Sequence, residues 1–168
     1  SALHLQPSAF SLHFLLLLLA GLALVGFQAS AQTNLAGGLS PFHFSMAGAT
    51  AEEIPLDHCL GPCEVLPLAR LAAARAERVL VKAAGGAPTP AQIEALPNLK
   101  LFGTDGASVD PMDSKTLDAH HALWKRGAVI LEGLVLANVP DGSYELIALP
   151  LKLVDMDAAP VRAILIER

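Results

Sequence analysis

The stretch Asp118–Leu134, DAHHALWKRGAVILEGL, limits the fold more sharply than any other part of this chain. Ser114 is placed to cap a helix over 115–125, Gly127 is a suitable stop, and 128–136 reads as an apolar strand. A helix that turns on one glycine and runs straight into a strand is half of an α/β unit. Within that strand stands Glu132. A buried carboxylate left alone costs on the order of several kcal/mol, so it demands a proton, a counter-charge or a metal. His120 and His121, near the end of the expected helix, are the nearest groups able to answer it. A His with a Glu is a donor pair that zinc and manganese accept, and equally a buried ion pair. Spacing alone leaves both readings open.

The remaining chain alternates apolar runs with breakers. Strands are expected at 63–68, 78–84, 99–104, 144–153 and 161–166. A helical turn is expected at 51–54, and 68–78 is helix-favouring or a polar connection. Thr89 and Pro90 open a short helix over 90–96 as N-cap and first residue. The segment DGASVDPMDSK is turn chemistry, in which Asp110, Asp113 and Asp118 suit turn and cap roles better than a cation site. Ser114 beside Lys115 reads as a helix cap rather than a nucleophile. Trp124 and Tyr144 pair a large ring with a polar tip and suit a dimer interface. Strands outnumber helices and no segment repeats, which gives an α/β class with a mixed sheet.

The net charge of −5 and the scatter of the basic residues argue against a nucleic-acid partner. Hydrophobic residues make up 53% of the chain, much of the excess lying in HFLLLLLAGLALVGFQASAQ, His13 to Gln32. Its apolar core suits the h-region of a signal peptide, and Ala29-Ser30-Ala31 supplies the small-x-small cleavage pattern, although no Lys or Arg precedes it. On this reading 1–31 is a leader, 32–168 is the working domain, and the product is periplasmic or secreted. A buried hydrophobic helix or a short anchor are the other readings of the block, and an uncleaved leader would hold the chain at a membrane. If that N-terminus is an artefact, the chain is cytoplasmic. Cys59 and Cys63 flank Gly61-Pro62, which favours a turn, and read as structural thiols rather than half of a zinc knuckle. His43, set between two phenylalanines in PFHF, suits acid–base work near neutrality and equally a packed core position.

Longer motifs are more specific. The run from Val109 to Leu165 carries DPMDSK, the HH pair, LEGLVL, YELIALPLKL and APVRAI in that order. Upstream stands PFHFSMAGATAEEIPLDHCLGPCEV. These stretches resemble the bacterial kynurenine formamidases, or arylformamidases, of the metal-dependent cyclase family, from about Pro41 to the C-terminus. The resemblance implies a swivelling β/β/α-type fold, commonly dimeric, and hydrolysis of N-formyl-kynurenine to kynurenine and formate in tryptophan breakdown. It implies zinc, with manganese the other candidate, and a small-molecule substrate. By the same resemblance His43 is the acid–base residue, and His120 and Glu132, twelve residues apart, are metal ligands.

The family's earlier ligand motif, H-x-x-x-H-x-D, ends four residues before the acid–base histidine. Counting back from His43, its three positions hold Thr33, Gly37 and Leu39. Two of the five expected ligands therefore remain, and the N-terminal part of the fold looks missing or replaced. This leaves two expectations of different kinds: an amide hydrolase, impaired or acting on another small amide, or a relic that binds without catalysing.

Overall fold

A computed structural model describes residues 37–39 and 50–168. His43, Thr33 and the leader read over 1–31 lie outside the described residues.

The backbone forms one mixed sheet in the order β7-β1-β5-β4-β3-β2-β6-β8. The strands are β1 (Gly37–Leu39), β2 (Leu60–Pro67), β3 (Arg78–Lys82), β4 (Leu101–Thr104), β5 (Val129–Leu131), β6 (Gly142–Ile147), β7 (Ala158–Pro160) and β8 (Ile164–Glu167). Strands β2 to β5 run parallel. Antiparallel pairs finish both sides, β1 and β7 beyond β5 and β6 and β8 beyond β2. Helix α1 (Pro90–Glu94) links β3 to β4, and α2 (Asp118–Lys125) links β4 to β5.

The central strands have apolar middles because both of their faces are covered, as parallel strands require. Val79, Val81, Phe102 and Ile130 point to one side and pack with Ile93, Ala119, Ala122 and Leu123 of the helices. Leu80, Leu101, Val129 and Leu131 point to the other and meet Cys63, Leu134, Leu136 and Leu146. Each buried Val, Leu, Ile or Phe among them contributes about 1.5–3 kcal/mol by leaving water.

Local chemistry explains where the elements begin and end. Thr89 caps α1 by accepting the Gln92 N–H, with Pro90 at the first position as expected. Gly127 stops α2 at φ +66°.

Several boundaries differ from the sequence expectation. Helix α2 starts at Asp118, not 115: Ser114 Oγ accepts the Leu117 N–H at 3.1 Å, closing a turn ahead of the helix. His120 therefore sits in the first turn of α2 rather than near its end. Strand β5 stops at Leu131, so Glu132 follows the strand instead of lying within it. The ladder is lost because Gly133 donates to the Gly106 carbonyl in the loop after β4 and Leu134 to the carbonyl of Thr104, the last residue of β4.

Gly61-Pro62 is not a turn but part of β2, opposite Leu146 and Glu145. Pro62 is tolerated there because its carbonyl faces the Arg78 guanidinium, so its missing donor is no loss to the β6 ladder. Cys59 and Cys63 are both buried and free. Four residues of extended chain, about 13 Å, separate them, too far for a bridge. The 68–78 segment is a 3-10 helix over Leu68–Ala73 and then a connection. The strand expected over 144–153 leaves the sheet after Ile147, and β7 was not expected at all. Tyr144 is no interface residue: its ring is buried and its hydroxyl donates to the Pro140 carbonyl at 3.0 Å.

Candidate metal and active site

Three parallel strands end at one edge of the sheet, and the chain there carries Ala83, Asp105 and Glu132 just beyond β3, β4 and β5. Carboxyl ends of parallel strands are where open α/β sheets place their sites, because the loops diverge there. Asp105 is engaged locally, its Oδ1 accepting the Ala83 N–H at 2.7 Å. Glu132 is 9% exposed, and its Oε1 accepts the Val109 N–H at 2.7 Å.

Helix α2 brings His120 to the same place. Its Nε2 lies 3.5 Å from Glu132 Oε1, and the residue is 3% exposed. The sequence-based pairing of His120 with Glu132 is thus present in the fold, between a first helical turn and a strand end. His121, one residue on, is partly exposed and lies against Trp124, ring centroids 6.3 Å apart.

The partner that sequence reasoning missed is Asp110. Its Oδ2 lies 2.5 Å from His120 Nδ1 and accepts the His120 backbone N–H at 3.0 Å, while Oδ1 accepts the Ala119 N–H at 2.8 Å. One carboxylate therefore satisfies two helix N-terminal donors, where a negative charge is favoured, and also one nitrogen of the imidazole. Burial alone would raise the Asp110 carboxyl. The Ala119 and His120 contacts outweigh it and hold the group below the usual carboxylate range. The only sequence clue was a carboxylate between Val109 and Pro111, ahead of a helix with no capping side chain of its own.

This donor set fits a divalent ion in part. An imidazole with a carboxylate on Nδ1 and Nε2 turned towards a second carboxylate is the arrangement of a metal-binding histidine. Among the described residues, however, no group of three or more His, Cys, Asp or Glu side chains converges on one point. His120 and Glu132 supply two donors, and Asp105 and His121 do not complete the set.

The register of β1 places the earlier motif beside this pair. Gly38 lies opposite Leu131 and Leu39 opposite Ile130, so Gly37 and Glu132 come next on the two strands. Two of the three earlier ligand positions thus fall on the strand flanking Glu132, where Gly37 and Leu39 carry no donor side chain. Clefts of about 160 and 400 Å³ border Asp110, lined by Gly85, Gly86, Gly106 and Ser108 in one and by Pro88, Pro90, Asp113 and Asp118 in the other.

Comparison with known proteins identifies the family. The chain is 46% identical over 152 residues to a protein named kynurenine formamidase from Salinibacter ruber, covering 75% of this chain and 72% of that one. It is 45% identical over 150 residues to the kynurenine formamidase of Delftia acidovorans, and 44% identical over 155 to that of Paracidovorax citrulli, with the same coverage.

The chain belongs to the kynurenine formamidase family.

Solved structures agree. A protein described as a potential metal-dependent hydrolase with cyclase activity superposes with a TM-score of 0.67 at 28% identity, covering 79% of this chain and 77% of its own. A second, described as a predicted metal-dependent hydrolase from Bacillus stearothermophilus, gives 0.65 at 29% identity over 79% and 76%. Isatin hydrolase A from Ralstonia solanacearum gives 0.70 at 14% identity over 99% and 100%, which shows a shared fold. No family model matches the chain. The α/β class with a mixed sheet holds, and its kynurenine formamidase membership makes it a cyclase-like fold.

Proposed function

We propose that this kynurenine formamidase-family chain is a metal-dependent amide hydrolase that cleaves N-formyl-kynurenine to kynurenine and formate, a step of tryptophan breakdown, with zinc as its ion. The observation that carries this reading is the buried His120–Glu132 pair at the carboxyl edge of the sheet, in a chain 44–46% identical to kynurenine formamidases. A divalent ion held there supplies Lewis acidity towards the formyl oxygen and brings a water towards neutral pKa. His120 offers Nε2 and Glu132 offers a carboxylate oxygen to that ion. Both side chains are buried, which strengthens the charge interactions between them. His43 is the residue we assign to proton transfer: it takes the proton released as water adds to the formyl carbon and returns it to the aniline nitrogen as the C–N bond breaks. The leader read over 1–31 would carry this chemistry outside the cytoplasm.

A second reading has an observation of its own. Gly37 and Leu39 leave the strand beside Glu132 without donor side chains, which favours a module that keeps the fold and has lost catalysis. One experiment separates the two. The purified full chain is loaded with zinc, its metal content is measured, and formyl-kynurenine hydrolysis is followed beside Glu132→Gln. About one ion per chain and turnover, both lost in the variant, support the hydrolase. Stoichiometric metal without turnover supports the second reading, and the absence of both overturns the first.

A further inference from the structure

We infer that Asp110 is a positioning residue for the metal, one that holds the His120 ring so that Nδ1 keeps its proton and Nε2 faces the ion. The inference rests on the proposed function insofar as it takes His120 as a ligand. What it adds is the residue that sets which nitrogen binds.

The geometry is specific. Asp110 is 5% exposed and sits between the chain's two claims on His120, the backbone N–H and the ring. A carboxylate is acceptor-only, so the nitrogen 2.5 Å from Oδ2 must be the protonated one. That turns Nε2 to the Glu132 side, 3.5 Å from Oε1, where a bound ion would stand between the two donors. The same Oδ2 accepts the backbone N–H of His120, so ring and main chain are clamped by a single atom and the ring cannot turn over without losing that contact. Oδ1 is meanwhile committed to Ala119, which fixes the carboxylate plane. Outer carboxylates of this kind change metal affinity about 10–100-fold when removed. A carboxylate that served only to cap α2 would change helix stability and leave the ring free to bind metal through either nitrogen.

The test compares the full wild-type chain with Asp110→Ala and Asp110→Asn. The ¹⁵N shifts of His120 are read without metal over a series of pH values, and zinc is then titrated in. Wild-type protein is expected to carry the proton on Nδ1, and zinc is expected to move the Nε2 resonance alone. Asp110→Ala is expected to mix the tautomers and weaken zinc binding by about 10–100-fold. Asp110→Asn, which can keep one acceptor on the ring, falls between. A wild-type ring protonated on Nε2, or zinc arriving at Nδ1, overturns the inference whether or not the variants fold. So does an alanine variant that is less stable but binds zinc as tightly. If wild-type protein takes up no zinc, the proposed function fails, and the wild-type tautomer still decides what Asp110 does.

Discussion

Glu132 accepts the backbone N–H of Val109, 23 residues earlier in the chain, at 2.7 Å, so the proposed ligand is also a structural tie. The loop after β4 and the end of β5 are held together by this bond and by the Gly133 and Leu134 donors. Glu132→Ala leaves a buried N–H without its acceptor and should cost about 1–3 kcal/mol. Glu132→Gln keeps an oxygen for Val109 and should cost less, while losing the charge a divalent ion needs. Urea titrations of both variants without metal check this: equal midpoints would show that the Val109 bond contributes nothing.

Arg78 is 3% exposed, and its guanidinium donates to the carbonyls of Asp57, His58 and Pro62. Gly61 runs so close beneath it, at φ +133°, that a Cβ there would lie 2.9 Å from a guanidinium nitrogen. Arg78→Leu strands several acceptors at once and should lower stability by about 3–5 kcal/mol. Arg78→Lys should recover little of it, since an ammonium cannot span the fork of carbonyls. Thermal melts of the two variants, each well below wild type, are the expected result.

How far the sequence announced this architecture depends on how local each cause is. Thr89, Pro90 and Gly127 act on their own neighbours, so the cap of α1 and the stop of α2 were readable. The end of β5 was not, because Leu134 and Leu136 are as apolar and as buried as the strand before them. What ends the strand is a pair of hydrogen bonds to the end of β4 and the loop after it, some thirty residues upstream in the chain. Strand β7 was invisible for the same reason: Ala158–Pro160 has no strand-like composition and is held by pairing with β1. At the site, His120 and Glu132 were named by resemblance and by the oddity of a carboxylate among apolar residues. Asp110 was read as a turn or cap residue, which it is, and its contact with the His120 ring depends on how the 111–117 loop folds back.

The thiols of Cys59 and Cys63 are pushed by burial from an ordinary 9.0 to about 11 and about 12. Native protein should therefore resist thiol reagents at about pH 8, with both groups reacting on unfolding. The linkage has a definite sign. A raised native pKa means that the unfolded chain gives up its protons first, so stability is fully present below about pH 9 and falls as pH rises through about 11 to 12. Denaturant midpoints at stepped alkaline pH should decline in wild type and decline less in a Cys59→Ala, Cys63→Ala double variant.

Thr89 accepts the Gln92 N–H at the open end of α1, and Gln92 returns the bond to the Thr89 N–H at 2.9 Å. Thr89→Ala removes half of that exchange and should cost about 0.5–2 kcal/mol. Because α1 carries none of the proposed ligands and packs through Ile93, zinc content should be unchanged. A calorimetric scan with metal analysis on the same sample reads both.

The placement of β1 sets an order of assembly on the ribosome. Its neighbours are Ile130 and Leu131 on one side and Ala158 to Pro160 on the other. Residues 37–39 leave the exit tunnel long before either neighbour has been translated, whereas β2, β3 and β4 follow one another in the chain and pair as they emerge. The nascent chain thus carries an early strand whose berth is finished last, and a polypeptide halted before Pro160 cannot close that edge of its sheet.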